Sequence, residues 1–146
     1  YVLKPGETEA PQGLQRGLSA SNRVQDILIS HFETGVSGND ALARARGQAI
    51  SEGLDPSIYS HPIGTHGHGA GPAIGFWDNQ DADPRGAGLI NANTAWSIEL
   101  TSYSAVPEWG GQLVDFRTEK DAFFDGRELR FLDGRQRELT LITSAE

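Results

Sequence analysis

Up to about residue 50, apolar side chains recur every three or four positions, and from Trp96 onward they alternate with polar ones. That change of period is the strongest constraint on the fold, because neighbours on a helix face lie three or four residues apart and neighbours on a strand face lie two apart. Leu14, Leu18, Val24, Leu28 and Phe32, with Ile27 widening the stripe, predict one long amphipathic helix ending near Phe32 and stopped by Gly35. Thr8 is its expected cap, with Pro11 in the first turn; Gly13, Gly17 and the segment Ser19 to Asn22 are its weak points. His31 falls in the last turn, as a solvated side chain facing the helix dipole. Asn39 or Asp40 is expected to cap a second helix through Leu42, Ala45, Ala49 and Ile50, closed by Gly53. Asp55-Pro56 reads as a turn, and Ile58-Tyr59 as the start of a short strand.

In the second half, Trp96, Ile98 and Leu100 alternate with Ser97, Glu99 and Thr101 on one predicted strand, and Leu113 to Thr118 makes another. Asp125-Gly126 and Asp133-Gly134 mark turns separating Ala122–Phe124, Glu128–Leu132 and Glu138–Thr143, which predicts an antiparallel meander. Residues 78–93 are rich in Asp, Asn, Gly and Pro and read as a long loop, a rim or lid over a pocket. Two helices followed by an antiparallel sheet define an α+β domain, and 146 residues suffice for one core. The formal net charge of -8, without any basic run, argues against a nucleic-acid partner. No apolar run approaches the roughly 20 residues of a membrane span. The absence of cysteine rules out disulfides and thiolate ligands within the chain. A chain that begins at Tyr1 and contains no methionine is expected to be a processed product or a piece of a longer one.

Between the two halves lies His61-Pro-Ile-Gly-Thr-His66-Gly-His68-Gly-Ala-Gly, three imidazoles within eight positions on a backbone that glycine leaves free to turn sharply. Imidazoles so held suit a transition metal or hydrogen bonds to a substrate. Farther on, Glu99 and Glu119 lie symmetrically about residue 109, inside the turn-forming Pro107-Glu108-Trp109-Gly110-Gly111. A symmetric hairpin therefore sets the two glutamates opposite each other, with Cβ atoms about 5 Å apart. Two like charges at that distance destabilise a sheet unless a divalent cation or a shared proton neutralises them. One histidine with two glutamates is a ligand set for Zn, Mn or Co. Asp115, Lys120 and Asp121 read as solvated residues around the hairpin.

Gly67-His68-Gly69-Ala70-Gly71, Trp96-Ser97-Ile98-Glu99-Leu100 and Phe116-Arg117-Thr118-Glu119-Lys120-Asp121 resemble the catalytic half of the metallopeptidase family of methionine aminopeptidase, Xaa-Pro aminopeptidase and prolidase, whose fold is called pita-bread. The start His61-Pro62-Ile63-Gly64 leans toward the Xaa-Pro branch. The resemblance implies a metal-dependent exopeptidase that removes N-terminal residues, with two divalent ions (Mn, Co or Zn) held by two aspartates, one histidine and two glutamates. Glu99 and Glu119 match the glutamate ligands. The histidine ligand is His68 by the Gly-His-Gly match, or His66 by the paired-histidine match, with His68 preferred. The ions would hold a hydroxide that attacks the scissile carbonyl. His61 and the unligated member of His66 and His68 would then serve as catalytic hydrogen-bonding groups. The further histidine that the family carries beside an acidic residue has no counterpart in Ile74-Gly75-Phe76-Trp77-Asp78. The aspartate ligands belong to strands that precede the first helix, so residues 1–146, as the C-terminal portion of the catalytic domain, are expected to be inactive alone. A peptide substrate, no membrane, a cytoplasmic location and an admissible homodimer complete the expectation. Its rivals are a binding module on the same fold and a metal-free, creatinase-like hydrolase.

Overall fold

A computed structural model describes residues 1–143. The order of elements is β1 (Val2–Leu3), α1 (Gln12–Ser30), α2 (Gly38–Ser51), β2 (Asp55–Ile58), β3 (His61–Pro62), β4 (Thr94–Val106), β5 (Gln112–Phe124), β6 (Leu129–Phe131) and β7 (Ile142–Thr143). The architecture is α+β: two helices cover one face of an antiparallel sheet ordered β2-β4-β5-β6, with β3 continuing the β2 side of β4.

Helix α1 runs unbroken through Gly13, Gly17 and Ser19 to Asn22. Thr8 does not cap it. Pro11 occupies the cap position without a side-chain bond, and no acidic residue lies in the first turn. A carboxylate from a distant element does that work: Glu108, in the turn between β4 and β5, accepts the Gly13 N–H at 3.2 Å on each oxygen. The turn is thereby fastened to the positive end of the helix. Gly17 lets α1 lie directly on Phe116 of β5, where an added Cβ would stand 2.1 Å from the ring. Helix α2 is capped by Ser37 instead of Asn39 or Asp40, its hydroxyl accepting the Asp40 N–H at 3.1 Å. His31 ends α1 and its Nε2 lies 3.0 Å from Gln48 Oε1 of α2.

Asp55-Pro56 forms part of β2 and makes no turn. β2 is an edge strand, and an edge tolerates a residue with no N–H to donate. The last segment also departs from expectation. Within residues 138–143 only Ile142 and Thr143 are extended, and they pair in parallel with Val2 and Leu3, so the meander ends at β6. The core lies between the helices and the inner sheet face, with Val24, Ile27 and Leu28 of α1 against Trp96, Ile98 and Leu100 of β4. Phe32 packs edge-on against Trp96 at 4.9 Å between ring centroids. That packing fixes the other face of β4, which carries the polar residues. Among the described residues no helix is long and apolar enough to cross a membrane.

Candidate metal centre

β4 and β5 pair over thirteen positions without a bulge, and Glu99 stands directly opposite Glu119. Their side chains share the outer sheet face because Trp96, Ile98 and Leu100 claim the inner one. β3 brings in the imidazole: His61 pairs with Ser97, two residues before Glu99 and on the same face. One ligand atom each from His61, Glu99 and Glu119 lies within 4.8 Å of the other two.

The backbone around Glu99 is held by Ser60, which is fully buried between β2 and β3. Its hydroxyl accepts the Glu99 N–H and donates to the Glu99 carbonyl, both at 3.1 Å. Glu119 is oriented by Ser97, whose hydroxyl donates to Oε1 at 2.8 Å. His61 is buried, and its Nδ1 lies 3.0 Å from the Pro62 carbonyl. That oxygen can only accept, so Nδ1 carries a proton and Nε2 is the ring nitrogen that faces Glu99. The Nε2 to Glu99 Oε2 distance is 3.6 Å, too long for a hydrogen bond. Burial first, and the charge of Glu119 second, push the Glu99 carboxyl above the usual carboxylate range. An imidazole nitrogen and two carboxylates that converge on one point suit a divalent cation. The side chains thus fit a metal ion, and this His/Glu/Glu group can bind one.

The glycines after His61 fold the chain back on itself. A Cβ on Gly64 would stand 2.6 Å from the His68 carbonyl, and one on Gly69 2.7 Å from that of Ile63. The Gly69 N–H donates to Pro62 O at 2.7 Å. This close approach lays the His68 ring over His61, with centroids 4.0 Å apart and planes 12° from parallel. His68 is therefore near the acids as a partner of His61, and the group of three contains His61 in its place. His66 is exposed on the loop.

Sequence reasoning overlooked four neighbours: Ser60, Ser97, Tyr59 and Trp77. Ser97 was within reach of it, since strand alternation puts that hydroxyl on the Glu99 face, diagonal to Glu119. Tyr59 and Trp77 were not, because their meeting depends on how the loop returns. The Tyr59 ring packs against His61, Phe76 and Trp77 at centroid distances of 5.1, 5.8 and 5.7 Å. Arg85, paired with Asp83 at 2.9 Å, covers the Phe76 ring at 3.4 Å. Burial, and then the charge of Glu99, raise the Tyr59 phenol above its ordinary value. Trp77 lines, with Thr118 and both glutamates, a hollow of about 310 Å³.

No family model matches the sequence, and no curated protein matches it. Solved structures do. The X-Pro aminopeptidase of Thermotoga maritima MSB8 superposes with a TM-score of 0.64 at 19% identity, over 92% of this chain and 35% of its own. A dipeptidase of Pyrococcus horikoshii OT3 gives 0.63 at 22% identity, over 92% of this chain and 34% of that one. The Xaa-Pro dipeptidase of Bacillus anthracis gives 0.61 at 16% identity, over the same shares of 92% and 34%. The chain spans about a third of the length of the structures it matches. Over that third it has the α+β fold of the pita-bread peptidases.

Proposed function

We propose that this chain supplies the His–Glu–Glu side of a divalent-metal site in an exopeptidase that acts at peptide N-termini, with Xaa-Pro peptides as the substrate class. The observation that carries this reading is the convergence of His61, Glu99 and Glu119 within 4.8 Å on one sheet face. The names of the solved structures, an X-Pro aminopeptidase and dipeptidases, support the reaction class. The facing glutamates favour a cation-dependent site over a metal-free one, since a pair of uncompensated acids weakens the sheet.

We assign His61 as the imidazole ligand in preference to His68 or His66. With His61 in that role, His68 follows it by seven residues, between Gly67 and Gly69 and not beside an acid. His68 stacks on His61, and in this reading it donates a hydrogen bond to a substrate carbonyl or to the departing amine. When bound, the cation acidifies water and polarises the scissile carbonyl. The protein's own tasks are to turn Nε2 of His61 toward the acids through the Pro62 carbonyl, to orient Glu119 through Ser97, and to wall the hollow with Trp77, against which Tyr59 packs.

Calorimetric titration of the 146-residue chain with Mn, Co and Zn tests the site. One ion is expected to bind, and His61→Ala, Glu99→Gln and Glu119→Gln are each expected to weaken it, while His66→Ala leaves it unchanged. Equal affinity in wild type and His61→Ala would overturn the assignment. Assayed alone on Xaa-Pro peptides, the chain is expected to cleave little, because three side chains cannot hold a bridged pair of ions.

A further inference from the structure

β4 lies along one side of β5 for the whole strand, while β6 pairs on the other side only from Ala122 to Phe124. The Leu132 N–H extends that side by one residue, donating to the Asp121 carbonyl at 2.9 Å. The border without a neighbour among the described residues is therefore Gln112 to Lys120. Two observations fix which backbone groups point outward along it. At Asp121 the bond from Leu132 turns the backbone away from β4. At Glu99 the Ser60 hydroxyl holds both backbone groups on the far side of β4, so the Glu99–Glu119 pair exchanges no backbone bonds and Glu119 also faces outward. Alternation then turns the N–H and C=O of Leu113, Asp115, Arg117 and Glu119 to the open side.

Such a border accepts another strand, and its side chains specify which one. Two copies related by a two-fold axis pair antiparallel, so the middle of the bare stretch, Phe116, faces itself when the whole stretch is used. That register sets outward residues against outward residues, with Asp115 opposite Arg117 of the second copy and Arg117 opposite its Asp115. Opposite charges so placed stabilise a strand pair, and like charges weaken it. Moving the axis to Asp115 would set Asp115 against itself. Moving it to Arg117 would set Arg117 against itself and Asp115 against Glu119. The middle of the stretch and the order of its charges therefore select the same axis. Asp115 and Arg117 already pair along their own strand at 2.9 Å, with side chains 47% and 76% exposed. That contact uses Asp115 Oδ2 with Arg117 Nε and Nη2, which leaves Asp115 Oδ1 and Arg117 Nη1 for the second copy.

We infer that this border is a homodimer interface, in which two copies join their sheets antiparallel along β5 about a two-fold axis at Phe116. The inference does not rest on the proposed metal site.

Sedimentation of the full chain across a wide concentration range, with amide hydrogen exchange, tests it. A monomer–dimer equilibrium is expected, with exchange slowed in the dimer at Leu113, Asp115, Arg117 and Glu119. Asp115→Arg and Arg117→Asp each set like charges face to face, and each is expected to weaken the dimer about tenfold or more. Both positions are exposed, and circular dichroism checks that each variant keeps its fold. Mixed in equal amounts, the two variants again set opposite charges face to face, and a heterodimer at least as tight as the wild-type dimer is expected. That result separates pairing between copies from the bond along one strand, which both variants break. A wild-type chain that stays monomeric, a dimer in which those amides exchange as in the monomer, a dimer indifferent to both substitutions, or variants that fail to associate on mixing would each overturn the inference.

Discussion

Glu99 and Glu119 are a burden to the sheet that carries them until something positive lies between them. Without a cation, Glu119→Gln is therefore expected to raise the thermal midpoint, by the equivalent of about 0.5 kcal/mol for relief of a like-charged cross-strand pair. In excess Mn the order reverses: the wild-type chain gains stability by linkage and the variant does not. Differential scanning calorimetry with and without metal reads both signs. Ser97→Ala removes the hydrogen bond that orients Glu119. It is expected to lower cation affinity about tenfold, the scale of a lost support to a ligand. Much of this site was legible before any coordinates. Hairpin symmetry about residue 109 requires the two glutamates to face each other, and the observed register does so. Which of the three histidines stands beside the two glutamates was not legible. It depends on the two-residue pairing of β3 with β4 and on a backbone reversal at Gly64 and Gly69, neither of which follows from spacing.

Among the elements, the two helices respond to glycine substitution in opposite ways. Gly17→Ala improves helix propensity, yet its methyl group would meet Phe116 at 2.1 Å. It is expected to destabilise the chain by about 1–3 kcal/mol, the cost of overpacking. Gly47→Ala in α2 meets nothing within 4 Å, so it keeps the propensity gain and is expected to stabilise by up to about 1 kcal/mol. Chemical denaturation of the two variants separates packing from propensity. The helices are also tied by Arg23, whose Nε and Nη2 donate to the two Glu52 oxygens at 2.8 Å. With Gln48 adding a third bond, the Glu52 carboxyl drops from its ordinary 4.5 to about 2. The folded chain thus binds this proton less readily than the unfolded one. The contribution is complete above about pH 4.5 and fades as pH falls toward about 2. Thermal midpoints measured across that window are expected to fall more steeply for wild type than for Glu52→Gln. At this scale sequence periodicity gave both helices and the long hairpin. It failed where a distant partner decides, as in the Glu108 cap of α1 and the parallel pairing of β7 with β1.

For the molecule as a whole, one boundary of the sheet stands out. From Gln112 to about Lys120 the outer side of β5 has no strand beside it among the described residues, and neither proline nor a bulge interrupts it. Glu119, one of the three converging side chains, therefore sits on a strand anchored by a neighbour on one side only. Backbone groups left open along such a border tend to recruit another chain. The isolated chain is thus expected to self-associate as its concentration rises, and Leu113→Glu, at an exposed position on that border, to suppress the association in sedimentation experiments. The same openness bears on precision. A carboxylate can be aimed no more firmly than the ribbon beneath it, so whatever comes to lie along β5 would set how sharply Glu119 is aimed without touching it.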